Sequence, residues 1–252
     1  MRQVRGNMLK DKNIIALIPA RSGSSRIPDK NIKDFFGFSL LAYTIFQAKQ
    51  AGIFSRIIVS SDSKTYLDIA EGYGAQTIRR PFPISDVLST DFEWINHTMS
   101  HLEKYYEVPD CFAILRPTNP FRMPETIQRA WKRFISDQPC DSIRAITLCK
   151  QHPDKMWRLT PDKNDREYMI PLSGDIATCN SPYQGLDTIY AQTGALEIAW
   201  TSNILEHKNV SGELVRPFFM PEYESFDINL PEDWIMAEEI YKRGLAKMVG
   251  IK

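Results

Sequence analysis

The chain has 252 residues, 43% of them hydrophobic and 25% charged, and its 31 Lys and Arg residues equal its 31 Asp and Glu residues. This length and composition predict a single large globular domain, and the balanced charge gives no support for binding to nucleic acid or to an anionic membrane. No apolar stretch approaches the roughly 20 residues that a membrane-spanning helix needs.

The first twelve residues are polar and basic and lack the apolar core of a secretory signal. They predict a flexible tail over residues 1–12, ahead of a domain over residues 13–252. The four cysteines, at positions 111, 140, 149 and 179, form no Cys-x-x-Cys pair, so neither a zinc site nor a disulfide framework is indicated. Reduced thiols and the missing signal together predict a cytoplasmic protein.

A buried strand is predicted over residues 14–19, and a loop of small residues and cations follows it. Ser22, Gly23 and Ser24 offer backbone N–H groups, and Arg21 and Lys30 add positive charge. A loop of this kind at the carboxyl end of a strand suits a polyanion such as a nucleoside triphosphate. The spacing of its glycine and lysine matches neither a P-loop nor a dinucleotide fingerprint.

Strand-like and helix-like segments alternate along the rest of the chain. Strands are predicted over residues 56–60, 76–78, 111–115, 141–148, 189–200 and 225–228. Helices are predicted over residues 40–51, between a Ser39 cap and Gly52, over 66–73, from a cap at Thr90 or Asp91, from Pro124, and over 232–247. This rhythm predicts an α/β fold with a mostly parallel sheet, with ligands at the carboxyl ends of its strands. Residues 150–189 break the pattern and predict a small subdomain or an arm.

Several short blocks of the sequence resemble the acylneuraminate cytidylyltransferases, the CMP-sialic acid synthetase family. The first loop and its strand, I-I-A-L-I-P-A-R-S-G-S-S-R-I-P-D-K-N over residues 14–31, resemble the opening signature of that family. Further blocks are R-R-P at 79–81, L-R-P-T-N-P-F-R at 115–122, H-P-D-K at 152–155, Y-A-Q-T-G-A-L-E at 190–197 and S-F-D-I-N-L-P-E-D-W at 225–234. Ser25, Arg116 and Thr193 depart from the commoner lysine, glutamine and asparagine.

The resemblance implies a Rossmann-like fold of the nucleotide-diphospho-sugar transferase type, with residues 150–189 as an inserted dimerisation arm. The implied protein is a homodimer. The implied reaction joins CTP to a nine-carbon 2-keto sugar acid of sialic, legionaminic or pseudaminic type, with Mg²⁺ as cofactor, and releases pyrophosphate. Alternative acceptors are an eight-carbon keto acid or a sugar 1-phosphate, and a further alternative is a non-catalytic nucleotide-sugar binding protein.

The residue chemistry and the resemblance together assign roles to individual positions. The catalytic residues are predicted to be Arg21, Lys30 and Asp227. The nucleotide is predicted to contact Ala20, Arg21, Ser22, Gly23, Ser24, Lys30, Asn31 and Arg80. The acidic sugar is predicted to contact Arg116, Thr118, Lys155, Gln192 and Gly194. Because residues two apart on an extended segment share a face, Asp227 and Asn229 are predicted to reach one Mg²⁺ ion.

Two of these positions keep two interpretations, and a third leaves the identity of the sugar open. Arg80 contacts the nucleotide or forms an ion pair with Asp86 or Asp91. Asn229 binds the metal or caps the helix that follows it. Arg116 pairs with the carboxylate of the sugar acid, but its departure from glutamine leaves the identity of the sugar open.

Overall fold

The computed structural model describes residues 12–251, so the predicted tail, apart from Lys12, lies outside the described part of the chain. Two compact units are present. The first comprises residues 12–145 and 193–251, and the second comprises residues 146–192. No helix among the described residues is long and apolar enough to cross a membrane.

Strands and helices alternate through most of the first unit, and the ranges that follow cover both units. The strands are β1 (Ile14–Pro19), β2 (Asp34–Phe35), β3 (Phe38–Ser39), β4 (Arg56–Ser61), β5 (Gln76–Arg79), β6 (Cys111–Ile114), β7 (Ser142–Leu148), β8 (Trp157–Pro161), β9 (Glu167–Pro171), β10 (Tyr190–Trp200) and β11 (Val215–Phe219). The helices are α1 (Leu40–Ala51), α2 (Lys64–Gly72), α3 (Asp91–Tyr105), α4 (Pro124–Ser136), α5 (Ile176–Asn180), α6 (Ser202–Leu205) and α7 (Pro231–Lys242).

Seven strands form the main sheet in the order β11-β7-β10-β6-β1-β4-β5. β1 pairs in parallel with both β4 and β6, β4 pairs in parallel with β5, and β10 runs antiparallel to β6. The predicted α/β class with a mostly parallel sheet is therefore confirmed. β1 lies between β6 and β4, so the loop that leaves its carboxyl end is flanked by the loops that follow these two strands.

Both faces of β1 are covered by helices, which explains its continuous apolar sequence. Ile14, Ala16 and Ile18 pack in a core that also holds apolar residues of α1 and α4, among them Leu41 and Ile127. Ile15 and Leu17 point to the opposite face, into a second core with the apolar residues of α3. The strand thereby positions the first loop rigidly.

Helix boundaries follow the capping residues that the sequence displays. The Ser39 side chain accepts a hydrogen bond from the N–H of Ala42, and Gly52 ends α1 with a φ of 64°. Thr90, rather than Asp91, caps α3, in a capping box with Glu93. Both observations confirm predicted helices, and the second settles which of the two residues is the cap.

The strand predicted over residues 225–228 is wrong. This segment leaves a 3-10 turn at Tyr223–Ser225 and makes its hydrogen bonds to a loop instead of to a neighbouring strand. The Asn119 side chain donates to the carbonyl of Phe226 at 2.9 Å, and the N–H of Ile228 donates to the carbonyl of Thr118 at 2.9 Å. One edge of the sheet is formed by β11, where the sequence did not predict a strand. The last helix also ends earlier than predicted, at Lys242, and Gly244 follows with a φ of 68°.

The second unit contains a β-hairpin and short helical segments. β8 and β9 pair antiparallel from Trp157 opposite Pro171 to Pro161 opposite Glu167. α5 follows, and the Asp175 side chain caps it by accepting from the N–H of Ala177. These elements account for the interruption that the sequence predicts over residues 150–189.

Candidate active site

A cavity of about 320 Å³ lies in the first unit at the carboxyl end of the central strands. The first loop lines it together with the loop that follows β6, the segment before α3, and the segment before α7. Its charged lining residues are Arg21, Arg26, Lys30, Arg80, Arg116, Asp86, Asp91 and Asp227. Five cations face three carboxylates, so the cavity attracts an anion although the chain as a whole is neutral.

Arg21 and Asn31 hold the two ends of the first loop together. The Asn31 side chain is buried and donates to the carbonyl of Arg21 at 3.1 Å. The Arg21 guanidinium donates from one nitrogen to the carbonyl of Asp86 at 3.0 Å. That carbonyl is a neutral partner, so the positive charge of Arg21 stays available to an anion in the cavity.

Asp62 fastens the first loop from the end of the neighbouring strand β4. It accepts from the Ser22 N–H at 2.9 Å and from the Ser22 hydroxyl at 2.6 Å. Burial alone would raise the pKa of the Asp62 carboxyl, but the bonds from Ser22 outweigh it and hold that pKa below its usual value.

This arrangement differs from the predicted role of the loop backbone. The N–H groups of Ala20, Ser22 and Ser24 donate within the protein, to the Ser60 carbonyl, the Asp62 carboxylate and the Ser22 carbonyl respectively. Ala20, Ser22 and Gly23 are not among the residues that line the cavity, whereas Ser24 is. The small residues shape the loop, and side chains supply most of its charge.

Ile228 joins three distant parts of the chain beside the cavity. Its carbonyl accepts from the Lys30 ammonium at 2.6 Å, and its N–H donates to the Thr118 carbonyl. The Ile228 side chain is fully buried. Burial lowers the pKa of Lys30, and the nearby Asp227 carboxylate opposes that shift. The first loop, the loop after β6 and the segment before α7 are thus held against one another.

Asp227 and Asn229 lie side by side, as their spacing predicts. The Asn229 amide donates to Oδ2 of Asp227 at 2.8 Å. Leu230, not Asn229, occupies the cap position of α7, and the Asp233 carboxylate accepts from the N–H groups of Asn229 and Leu230. The alternative interpretation of Asn229 as the helix cap is therefore wrong, because its side chain is bonded to Asp227.

The chemistry of Asp227 fits a magnesium ion shared with a phosphate. Its Oδ1 is buried and has no hydrogen-bond partner within residues 12–251. A buried acceptor without a donor is well suited to a cation. No group of three or more His, Cys, Asp or Glu side chains in the described part of the chain is arranged to hold a metal ion without other ligands. One carboxylate suffices for Mg²⁺ where phosphates and water complete the shell.

Arg80 lies in the cavity wall but forms neither ion pair that the sequence analysis considered. Its guanidinium bonds to Ser60, through the hydroxyl and the carbonyl, each at 3.2 Å, and lies 5.1 Å from the ring centre of Trp94. Burial lowers its pKa to about 10, although Asp62 and Asp91 oppose the shift. Its stacking on Trp94 replaces the proposed ion pairs with Asp86 or Asp91.

Arg116 is paired with carboxylates of the protein. Its two terminal nitrogens contact the Asp91 carboxylate at 2.6 and 3.3 Å, and one lies 3.5 Å from the buried Glu197. Glu197 also contacts Arg144 at 3.2 Å. Burial opposes the positive charge of Arg116, but its bonds with Asp91 outweigh burial and raise its pKa.

Gly194 makes room for Arg116 inside the protein. A Cβ atom at this position would lie 2.9 Å from Cδ of Arg116 and 3.5 Å from Oδ2 of Asp227. The predicted close approach at Gly194 is thus made by a protein side chain. Arg122, fully buried, donates to the carbonyls of Arg116 and Ala195 and acts as a structural tie.

Two predicted sugar contacts fall in the second unit. The Lys155 ammonium donates to the carbonyls of Cys179, at 2.6 Å, and Ser181, so protein groups already satisfy it. Gln192 is exposed near the start of β10. Thr118, by contrast, lines the cavity of the first unit.

Three residues of this region were not assigned to the site from sequence. Asp62 could be noticed because it directly follows a predicted strand, as Arg21 and Arg116 do. Asp91 and Glu197 carried no such signal, since their importance comes from contacts with Arg116 across 25 and 81 positions of sequence.

Comparisons with known proteins identify the family of the chain. The cytidylyltransferase family model matches residues 15–154. A CMP-N,N'-diacetyllegionaminic acid synthase of Legionella pneumophila is 33% identical over 90% of this chain and 95% of its own. An N-acylneuraminate cytidylyltransferase of Escherichia coli is 32% identical over 91% of this chain and 52% of its own, so this chain spans about half of that relative.

The fold also has a close counterpart among solved structures. The CTP complex of CMP:2-keto-3-deoxy-manno-octonic acid synthetase superimposes with a TM-score of 0.67, covering 92% of this chain and 99% of the other at 13% identity. At that identity the likeness concerns the fold alone. The matched family model and the Legionella relative, aligned over nearly the whole of both chains, show that this chain belongs to the cytidylyltransferase family and is a nucleotidyltransferase.

Proposed function

We propose that this chain transfers a cytidylyl group from CTP to a nine-carbon 2-keto sugar acid of sialic, legionaminic or pseudaminic type. The observation that carries the proposal is the single cavity that Arg21, Lys30 and Asp227 share, with Ile228 joining their segments. The names of the Legionella and Escherichia coli relatives support an acceptor of this class.

In the proposed reaction, the anomeric hydroxyl oxygen of the sugar attacks the α-phosphorus of CTP. The bond from that phosphorus to the bridging oxygen of the β-phosphate breaks, pyrophosphate leaves with the electron pair, and the hydroxyl proton is released. Arg21 holds phosphate oxygens through its planar guanidinium. Lys30 belongs to the first loop, donates to the carbonyl of Ile228 next to Asp227, and stabilises charge that develops on the phosphate.

Asp227 would hold Mg²⁺ through its unpartnered Oδ1, and the ion would neutralise phosphate charge when bound. Asn229 orients the Asp227 carboxylate by donating to its other oxygen. In this assignment Asp227 is the metal ligand and Asn229 is a positioning residue.

We further propose that the protein works in the cytoplasm as a homodimer. The hairpin of β8 and β9 supports a dimer, because an isolated two-stranded hairpin is marginally stable and this one is exposed along nearly its whole length. Leu159 and Met169 are directly opposite each other and are 60% and 53% exposed. An apolar pair of this kind suits an interface with a second copy of the chain.

The activity is tested by measuring pyrophosphate release with CTP, Mg²⁺ and a panel of acceptors. The panel contains nine-carbon 2-keto acids, an eight-carbon keto acid and a sugar 1-phosphate, and ATP, GTP and UTP replace CTP in parallel reactions. We expect turnover with CTP and a nine-carbon acid. Turnover only with another nucleotide or another acceptor would contradict the proposal, and CTP binding without turnover of any acceptor would favour a binding protein.

The dimer is tested separately by light scattering on the whole chain. We expect twice the mass of 29.0 kDa. Leu159→Asp should shift the protein toward monomer, whereas Lys163→Asp, in the turn of the same hairpin, should leave the mass unchanged. A monomeric unaltered protein would contradict the dimer without affecting the proposed reaction.

A further inference from the structure

The positive charge of Arg116 is neutralised by two carboxylates within the protein. Asp91 takes both terminal nitrogens of its guanidinium, and Glu197 lies 3.5 Å from one of them. The Glu197 side chain is only 5% exposed and is shared with Arg144. The four side chains together form a neutral network that begins at the cavity wall and continues into the interior.

This pairing makes Arg116 a poor receptor for the carboxylate of an acidic sugar. A carboxylate that approached the terminal nitrogens would lie directly against the Asp91 carboxylate. It would also be the third negative group around one guanidinium, and like charges repel strongly where water is scarce. An anion entering this cavity meets less competition at Arg21, whose guanidinium donates to a carbonyl instead of a carboxylate.

The same pair is well suited to a neutral polar group. A carboxylate offers about four acceptor positions. Oδ1 of Asp91 receives bonds from Arg116 and from the Trp94 indole at 2.9 Å, while Oδ2 receives a bond from Arg116. One position on Oδ2 therefore remains, beside guanidinium N–H groups that do not bond to Asp91. An acceptor next to a donor matches a hydroxyl or an amide.

The sheet order places this pair on the acceptor side of the proposed reaction. β6, which leads to Arg116, and β4, which leads to the Asp62 clamp on the first loop, lie on opposite sides of β1. Both Asp91 and Arg116 line the cavity, with side chains 36% and 27% exposed. The absence of a side chain at Gly194 leaves room for Arg116 beside the Asp227 carboxylate.

We propose that the Asp91–Arg116 pair is the specificity-determining element of the acceptor site. It binds an uncharged hydroxyl or N-acyl amide group of the sugar acid, and the carboxylate of the sugar binds elsewhere in the site. Asp91 becomes a substrate-binding residue, while Glu197 is a positioning residue that acts through Arg116. This inference rests on the proposed function.

The test compares three kinds of acceptor with the unaltered protein and with Asp91→Asn and Arg116→Gln. The acceptors are the best sugar acid, its methyl ester, and analogues that each lack one hydroxyl or the N-acyl group. Both variants should raise the KM of the sugar acid about 10- to 100-fold, the value of a hydrogen bond to a charged group. The KM of CTP should stay within about threefold of its value in the unaltered protein, because CTP does not bind to this pair. The loss of activity on going from the sugar acid to its methyl ester should also stay within about threefold, because the ester changes only the carboxylate and not the neutral group.

One analogue should identify the bound group. The analogue that lacks it is a poor substrate for the unaltered protein, but in both variants its disadvantage relative to the parent sugar acid should disappear. Asp68→Asn breaks an exposed ion pair with Lys64 outside the cavity and is the matched control. Arg116→Lys keeps the buried charge but loses the planar fork, so it replaces Arg116→Gln if that variant does not fold.

The outcomes separate the inference from the function on which it rests. An esterification penalty that vanishes in Arg116→Gln would show that Arg116 binds the carboxylate, and would overturn the inference. A rise in the KM of CTP with an unchanged KM of the sugar acid would overturn it too. Turnover of no sugar acid by the unaltered protein would instead contradict the proposed function itself.

Discussion

Two arginines in the same cavity differ in what already neutralises them. Arg21 follows β1 and Arg116 follows β6, so the sequence presents them as equivalent cations at the edge of one sheet. Arg21 donates to a backbone carbonyl, whereas Arg116 is held by Asp91 and approached by Glu197. The comparison shows that position after a strand locates a site, and that the pairing of each charge decides which residue remains to bind an anion.

The largest effect is expected at Asp227, which lies in the same cavity as both arginines. Asp227→Asn removes the negative charge that would hold Mg²⁺, so kcat should fall about 10²- to 10³-fold, as for the loss of one preorganised charge contact. Pyrophosphate release at saturating CTP measures the change. Asp68→Asn is the control, and equal activity of Asp227→Asn and the unaltered protein would remove Asp227 from the mechanism.

A smaller effect separates the two arginines. Arg21→Gln should weaken CTP binding about 10- to 100-fold, because a charge-assisted bond to phosphate is lost. Arg116→Gln should change CTP affinity less than about threefold, since its charge is already paired. Calorimetric titration with CTP measures both, with the exposed Arg243→Gln as control. Equal losses of CTP affinity in Arg21→Gln and Arg116→Gln would contradict the distinction between the two arginines.

The pH dependence of CTP binding tests whether the positive charge of Lys30 contacts the triphosphate. Burial lowers the pKa of Lys30 in the free protein, and a bound triphosphate raises it by stabilising the ammonium. Binding therefore takes up a proton above the lowered pKa, and affinity should fall by up to about tenfold per pH unit as pH rises through it. Lys30→Arg, which stays charged, should lose this decline. An unchanged decline would assign it to another group.

The smallest effect is expected at Asp62, which positions the first loop but does not line the cavity that holds Arg21. Asp62→Asn weakens two bonds to Ser22, so the KM of CTP should rise about threefold and the free energy of unfolding should fall by about 1 kcal/mol. A fall in kcat that is larger than the rise in the KM of CTP would instead give Asp62 a direct chemical role.

The same carboxyl group predicts a change in stability with pH. Because its pKa is lowered in the folded protein, its contribution is present above about pH 4 and is lost as pH falls through the lowered value. Chemical unfolding below about pH 4 should show a smaller loss in Asp62→Asn than in the unaltered protein.

The strands and the position of the site could be predicted from the sequence because local signals agree there. The apolar run of β1, the Ser39 cap and Gly52 each act over a few residues, and parallel strands bring their carboxyl ends together. A strand was wrongly predicted at 225–228, because polar and apolar residues alternate there as they do in a strand. Its hydrogen bonds go to Thr118 and Asn119, which only the folded chain brings near.

The roles of single residues could be predicted less well, because they depend on partners distant in sequence. Ser22 was expected to face phosphates, yet Asp62 occupies its N–H. Arg116 was expected to meet the sugar carboxylate, yet Asp91 occupies its fork. The strand β11 was missed because Arg216 and Pro217 interrupt its apolar pattern.

The most direct measurement is a crystal structure of the whole chain with CTP and Mn²⁺, in which anomalous scattering locates the cation. We predict the triphosphate against Arg21 and Lys30 and the manganese peak on Asp227, with Arg116 still paired to Asp91. A triphosphate bound away from the first loop, or a cation that makes no contact with Asp227, would contradict the shared cavity as the active site.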